Sequence, residues 1–473
     1  MSRLFFECPA RYLLLTAAIL QLTLVLGLYV MGRSAVSPTK IDEHGLLISV
    51  LPDTITYQAQ ATDAVEILKN SGVRSWLRVR VDAHVKLYSL SYLVFGPLVG
   101  SNIVGAEPFN LACYLGILML VAKFGKEVFD QRAGRAAAAA VGLWPSFLVH
   151  NAQVLKDPIC VIAMLLLALV MALWLTRRLS WRMGLATGLL GGAAIGLIYA
   201  TRAGFWVPVN LGLVLLGASL LIVRQIRERS LLAGNVLSMG LLLFVSVGSL
   251  FLAEDFSEVT RSWLATPQAA EAPHNAPAPI PIQSPSPSNQ LNVQNVSFPL
   301  HPRPDRTNYL VIKIQQVRDS FSYRYRNSGT LLDSDVEFIT VADVVRYVPR
   351  AMMIGFLAPF PNKWLSAGKE VGLAGRLLSG AEMLAAYVID LLALFGVWRG
   401  RHRLTTWLLF CITLFGVTTL GLGLINVGAL YRMRYGFFVL LIMLGMYGLT
   451  QIRPSIRDRA VAGESRLADQ SSA

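Results

Sequence analysis

Apolar residues run along this chain in long blocks rather than alternating or recurring on one helical face. Ten blocks are long enough to cross a hydrocarbon core about 30 Å thick. They are Tyr12–Gly32, Pro108–Phe124, Gly134–His150, Pro158–Thr176, Gly184–Ala200, Phe205–Val223, Leu232–Ala253, Leu377–Trp398, Leu404–Ile425 and Tyr435–Ile452. The pattern predicts an all-α polytopic membrane protein with about 10 transmembrane helices (10–12), plus juxtamembrane helices on its outer face. Two further apolar stretches, Val85–Val104 and Val344–Phe360, are ambiguous by length alone.

Basic residues arbitrate. With ten spans, one side collects Arg3 and Arg11, Lys126, Arg132 and Arg135, Arg177, Arg178 and Arg182, Arg224, Arg227 and Arg229. Arg399, Arg401 and Arg403, then Arg453, Arg457 and Arg459, fall there too, while short loops opposite carry only Lys156, Arg202, Arg432 and Arg434. The positive-inside bias makes the first side cytoplasmic and both ends of the chain with it. Counting Val85–Val104 as a span would reverse the middle clusters, so it and Val344–Phe360 read as outer juxtamembrane helices. The first apolar run is too long for the core of a signal peptide and lacks a small-residue exit, so it reads as a retained helix.

Composition agrees. Charged residues make up 15% of the chain, against about a quarter in soluble domains. The net charge of +14 sits beside the apolar blocks, which points to topology and away from nucleic acid. Cys8, Cys113, Cys160 and Cys411 are scattered and supply neither a disulfide framework nor a CxxC metal site. The organisation read from these features is a transmembrane core over 1–253 with an outer loop at 33–107, an outward segment over 254–376, spans over 377–452 and a cytoplasmic tail at 453–473. Within the outward segment, 266–305 is proline-rich and reads as a disordered tether.

Polar groups gather at the outer ends of the spans. "LPDTITYQAQATDAVEILKNSG" places Asp53 at the head of a short helix, where it serves either as a cap or as a reactive acid. "HNAQVLKDPICV" sets His150, Asn151, Lys156 and Asp157 between two spans, and "YATRAGFWVP" places Arg202 in a tight turn. "NVGALYRMRYGF" carries Arg432 and Arg434 against the positive-inside bias, which favours a phosphate-binding use. Asp390 lies within a span, where an acid usually has a partner or a task. "GLLGGAAIG" is glycine-rich but lies inside a span and reads as helix packing.

Together these stretches resemble the GT-C class of membrane glycosyltransferases, including protein O-mannosyltransferases and aminoarabinose transferases. "DTITYQAQA" looks like the family's first outer acid segment, with Asp53 at the catalytic position and Tyr57 trailing it. "HVKLYSLSYLVFG" is similar to the family's next element at His84, Leu87 and Tyr88 but lacks its two prolines. The run from Asn110 through Trp144-Pro145 to Asp157, with its F-x-x-R-x-G turn, resembles the family core, and Asp157 matches a second outer acid. The resemblance covers roughly the first 225 residues.

It implies a sugar donor linked to a polyprenyl phosphate and a glycan, lipid or protein acceptor, joined at the outer face of the cell's inner membrane. It implies Asp53 as general base or activating acceptor ligand, and a phosphate and substrate site from Tyr57, His84, Lys86, Lys156, Asp157, Arg202, Arg432 and Arg434. A divalent cation, Mg or Mn, bridging Asp53 and Asp157 is the cofactor those acids allow. Two rivals stand beside this reading. A polysaccharide polymerase or ligase of O-antigen type is suggested by "RDSFSYRYRNSG" from Arg318, and a lipid or solute transporter by Asp390.

Overall fold

The computed structural model of the chain describes residues 10–202, 206–264, 309–326, 329–366, 368 and 372–452. The expected tether 266–305, the tail 453–473 with its arginines, Arg3 and Cys8 lie outside the described residues. The described chain is helical with no strand longer than an isolated bridge. It is an all-α polytopic membrane protein.

Nine of its helices are long and apolar enough to span, among the described residues. They are α1 (Ala10–Arg33), α4 (Ile103–Val128), α7 (Asp157–Thr176), α8 (Trp181–Arg202), α9 (Trp206–Glu228), α10 (Ala233–Leu264), α13 (Gly372–Arg399), α14 (Leu404–Gly423) and α16 (Tyr435–Ile452). Between them lie α2 (Asp53–Arg78), α3 (Ala83–Val99), α5 (Gln131–Gly142), α6 (Pro145–Asn151), α11 (Tyr309–Arg324), α12 (Val341–Leu357) and α15 (Val427–Met433).

The tenth expected span, Gly134–His150, is not one helix. Pro145 has no N–H and disfavours helical geometry at the residue before it, and Trp144 is accordingly extended, with φ −75° and ψ 112°. α5 therefore stops after 12 residues, about 18 Å, and α6 continues in a new direction. Broken backbone at membrane depth survives only when protein covers it. Here the alanine face of α5 is buried against α4 and α16, and the Tyr114 hydroxyl donates to the freed Gly142 carbonyl.

α16 is the axis of the bundle, with 83% of its spanning window buried. It packs on α13, α14, α5 and α7. Its contact with α13 is backbone-close: a Cβ on Gly448 would stand 2.2 Å from the Leu392 carbonyl oxygen. The glycine-rich stretch of α8 lies close against α10, since a Cβ on Gly188 would meet Leu241 Cδ1 at 2.6 Å and one on Gly191 would meet Leu242 Cδ1 at 2.6 Å. Packing, as expected from the sequence, is what those glycines serve.

Residues 34–102 stay at one end of the bundle. The α1 C-terminus and the α4 N-terminus meet there, with Gly45 wedged between Tyr29 and Ile103 and the Ile103 amide donating to His44. α3, which covers most of Val85–Val104, leads into the α4 N-terminus, and α2 and α4 flank it. α12, over most of Val344–Phe360, starts with a capping box between Thr340 and Asp343 and lies against α14. Neither is among the candidate spans. Arg318 on α11 is buried and donates to the Leu422, Asp333 and Val336 carbonyls, with its guanidinium over Phe338 and Tyr347. The arginine that suggested a polymerase ties α11 to α14 and to the loop before α12.

Candidate functional site

The polar residues flagged in separate loops converge at the α2–α3 end of the bundle. Asp53 is the first residue of α2, after Pro52 with φ −61°. Buried Leu51 and Thr54 anchor the turn, the Thr54 hydroxyl donating to the Leu51 carbonyl at 2.7 Å. Arg432, 379 residues away on α15, donates from Nη2 to Asp53 Oδ2 at 3.0 Å. Asn426 caps α15 by accepting from the Ala429 amide at 2.8 Å, so the short helix holds its arginine in a fixed direction.

Asp157 opens α7 with Pro158 beside it in the first turn. Arg202, at the end of α8, donates from Nη2 to Asp157 Oδ1, and the two side chains are only 8% and 6% exposed. The Asp157–Arg202 pair and Arg432, the partner of Asp53, line one small cleft together with Cys160, Trp206 and Gly436. Lys156, the residue before Asp157, lies 3.6 Å from Asp82 Oδ2 and 5.7 Å from the centre of the Tyr57 ring.

His84 completes the inner wall. It is fully buried, edge-on to Tyr57 with ring centres 4.4 Å apart, and neither ring nitrogen has a hydrogen-bond partner. Asp82 Oδ2 is 3.7 Å from Nδ1, beyond hydrogen-bond range. Burial, helped by the Lys156 charge, pushes the imidazole down to about 3, so it is neutral near pH 7. Burial, reinforced by Asp53, pushes the Tyr57 hydroxyl upward, so it stays a donor.

Two flagged residues are engaged elsewhere. Lys86 lies half a turn from His84 and Tyr88, on another face of α3, and donates to the Leu77 carbonyl at 2.8 Å. Arg434 is buried and donates to the Gly355 and Ala358 carbonyls at 3.1 and 2.9 Å. The α12 C-terminus leaves carbonyls without helical partners, and this guanidinium serves them in place of a phosphate.

The sequence reading missed Asp82 and Glu382. Asp82 sits two residues before His84, a position where an acid ahead of a helix was a usable signal. Glu382, buried within α13, accepts the Ser146 amide through Oε1 and the Tyr431 hydroxyl through Oε2. It ties α6, which leads to Lys156, to α15, which carries Arg432. The rule that singled out Asp390 as an acid inside a span applies equally to Glu382.

The two acids of the expected divalent-metal pair are both engaged by arginines in this arrangement. Asp53 and Asp157 each face a guanidinium, and no group of three or more His, Cys, Asp or Glu side chains that could hold a metal forms among the described residues. Chemically, the site offers two acids held by removable cations, a lysine beside an aromatic edge, and a neutral imidazole. Comparison with family models, curated proteins and solved structures gives no match for this chain.

Proposed function

We propose that this protein is a membrane glycosyltransferase that moves a sugar from a polyprenyl-phosphate-linked donor to a glycan, lipid or protein acceptor at the outer face of the membrane. The observation that carries this reading is the pairing of Asp53 with Arg432 across 379 residues, with Arg432 lining the same small cleft as the buried Asp157–Arg202 pair.

The pairs give the chemistry an order. Arginine binds phosphate oxygens bidentately, so a donor phosphate entering the cleft competes for Arg432 and releases Asp53. The freed carboxylate accepts a proton from the acceptor hydroxyl or amine as that group attacks the anomeric carbon. The carbon–oxygen bond to phosphate breaks, and polyprenyl phosphate leaves with the electron pair. Its added charge falls to Arg202, Arg432 and Lys156. No step requires a metal ion.

The test removes the gene and profiles surface glycans and polyprenyl-linked sugars by mass spectrometry. It then restores the gene as wild type or as Asp53→Asn at equal expression. Loss of one sugar, restored only by wild type, supports the proposal. Accumulated lipid-linked repeat units would assign a polymerase instead. Full rescue by Asp53→Asn together with failure of Asp390→Asn would assign a transporter.

A further inference from the structure

At the other end of the bundle, four spans frame an open cavity of about 560 Å³, within the size range of small-molecule sites. α4 ends there at Val128, α7 at Thr176 and α9 at Glu228, while α14 begins there at Leu404. The 20 residues of α7, about 30 Å of helix, separate it from Asp157.

Its lining is two-sided in character. Phe129, Leu175 and Leu404 form an apolar wall, and Arg224, Arg227, His402 and Arg403 a basic one. Glu228 is the acid among the lining residues, and it is already shared: Arg224 Nε donates to it at 2.6 Å and Arg178 at 2.9 Å. Arg224 also spends its Nη1 on the Trp174 and Arg177 carbonyls. Arg227 and Arg403 are exposed and make no ion pair among the described residues. α14 starts at the cavity with Arg403 in the N-cap position and no side-chain cap, so its partial positive charge adds to theirs.

The positive-inside bias explains arginines on this face. It does not explain why two of them, one in the last turn of α9 and one at the N-cap of α14, line one cavity at an uncapped helix start beside an acid that is already shared. Like charges that outnumber the one acid among them repel, and an anion seated between them lowers that cost. We propose that this cavity binds the phosphate ester of an anionic lipid of the cytoplasmic leaflet. Arg227, Arg403 and the α14 amides hold the phosphate, and Phe129, Leu175 and Leu404 receive the start of its hydrocarbon. The assignment is independent of the sugar-transfer chemistry at the opposite end.

The test uses the full-length protein in neutral detergent micelles, with retained lipid counted by native mass spectrometry and protection read as the thermal unfolding midpoint. Phosphatidylglycerol, phosphatidylcholine and inorganic phosphate are the probes. Wild type is compared with Arg227→Gln/Arg403→Gln and with Arg182→Gln/Arg229→Gln, which loses the same charge on the same face away from the cavity. Wild type and the second variant retain phosphatidylglycerol in preference to phosphatidylcholine, and the cavity variant binds it at least roughly tenfold more weakly, about the worth of one charge-assisted hydrogen bond. Equal retention by the two variants, or no preference of wild type for the anionic lipid, overturns the proposal. Protection by inorganic phosphate equal to that by the lipid moves the seat to a soluble phosphate ester. Because Arg227 and Arg403 are exposed, the variant is expected to fold; if it did not, the wild-type comparison of the three probes would still decide.

Discussion

The Asp157–Arg202 pair makes the sharpest claim on stability. Arg202→Met keeps the length and apolar stem of the side chain and removes its charge. Asp157, 6% exposed at the side chain, then has lost the cation that touches it. Breaking a buried pair this way costs about 3–5 kcal/mol. Arg432 borders the same cleft and Lys156 adjoins in sequence, so part of the charge stays compensated and the lower end, about 3 kcal/mol, is expected. That is roughly two powers of ten in the unfolding constant. Asp157→Asn in the Arg202→Met background removes the stranded charge and is expected to return about 2 kcal/mol, a coupling within the range seen for contacting residues. Equilibrium unfolding by SDS in mixed micelles, run on the four proteins of this cycle, measures both quantities. A single variant within 0.5 kcal/mol of wild type, or a double variant no more stable than Arg202→Met, would refute the reasoning.

Three further outcomes follow from neighbouring features. His84 is depressed to about 3 in the fold against about 6.5 in an unfolded chain, so the unfolded state takes up the extra proton between those values. Its contribution is intact above about pH 6.5 and lost as pH falls, at up to about 1.4 kcal/mol per pH unit, with Asp82 and Lys156 the nearest charges. His84→Phe should flatten the acid limb of a stability–pH curve, and an unchanged limb would count against the assignment. Gly184→Ala should destabilise strongly because its Cβ would stand 2.2 Å from the Gly234 oxygen, whereas Gly196→Ala, with nothing within 4 Å, should be neutral or gain up to about 1 kcal/mol in helix propensity. Paired thermal melts decide it. Glu382→Ala releases two donors and should cost about 2–4 kcal/mol; Glu382→Gln, which keeps one acceptor, should lose less, and equal losses would deny Glu382 its clamping role.

Most of the architecture was legible because a hydrocarbon solvent demands long apolar helices, and such blocks show in any reading of the chain. The exception, Gly134–His150, shows why hydropathy alone was insufficient: average hydropathy does not register the one missing N–H of Pro145. Asp53, Asp157, Arg202 and Arg432 were readable as polar residues against the local bias, but which acid meets which arginine depends on how distant spans pack. The separation of Arg432 from Arg434 was beyond reach for the same reason. Two residues apart, one faces the cleft and the other the end of α12, whose position no local pattern encodes. Glu382 carried the same signal as Asp390, an acid inside a span, but its role as a clamp was not readable because its two partners lie on α6 and α15.

Because Asp53 and Arg432 are 379 residues apart, they also differ in age during synthesis. At about 5–20 residues per second, the arginine emerges roughly 20–80 s after the acid it pairs with. α16 follows it and takes the most buried position among the candidate spans, so the helices made earlier reach their final packing only once it has arrived. The helix that fills the core directly follows Arg432 in the chain, so the Asp53–Arg432 pair and the finished bundle are completed together.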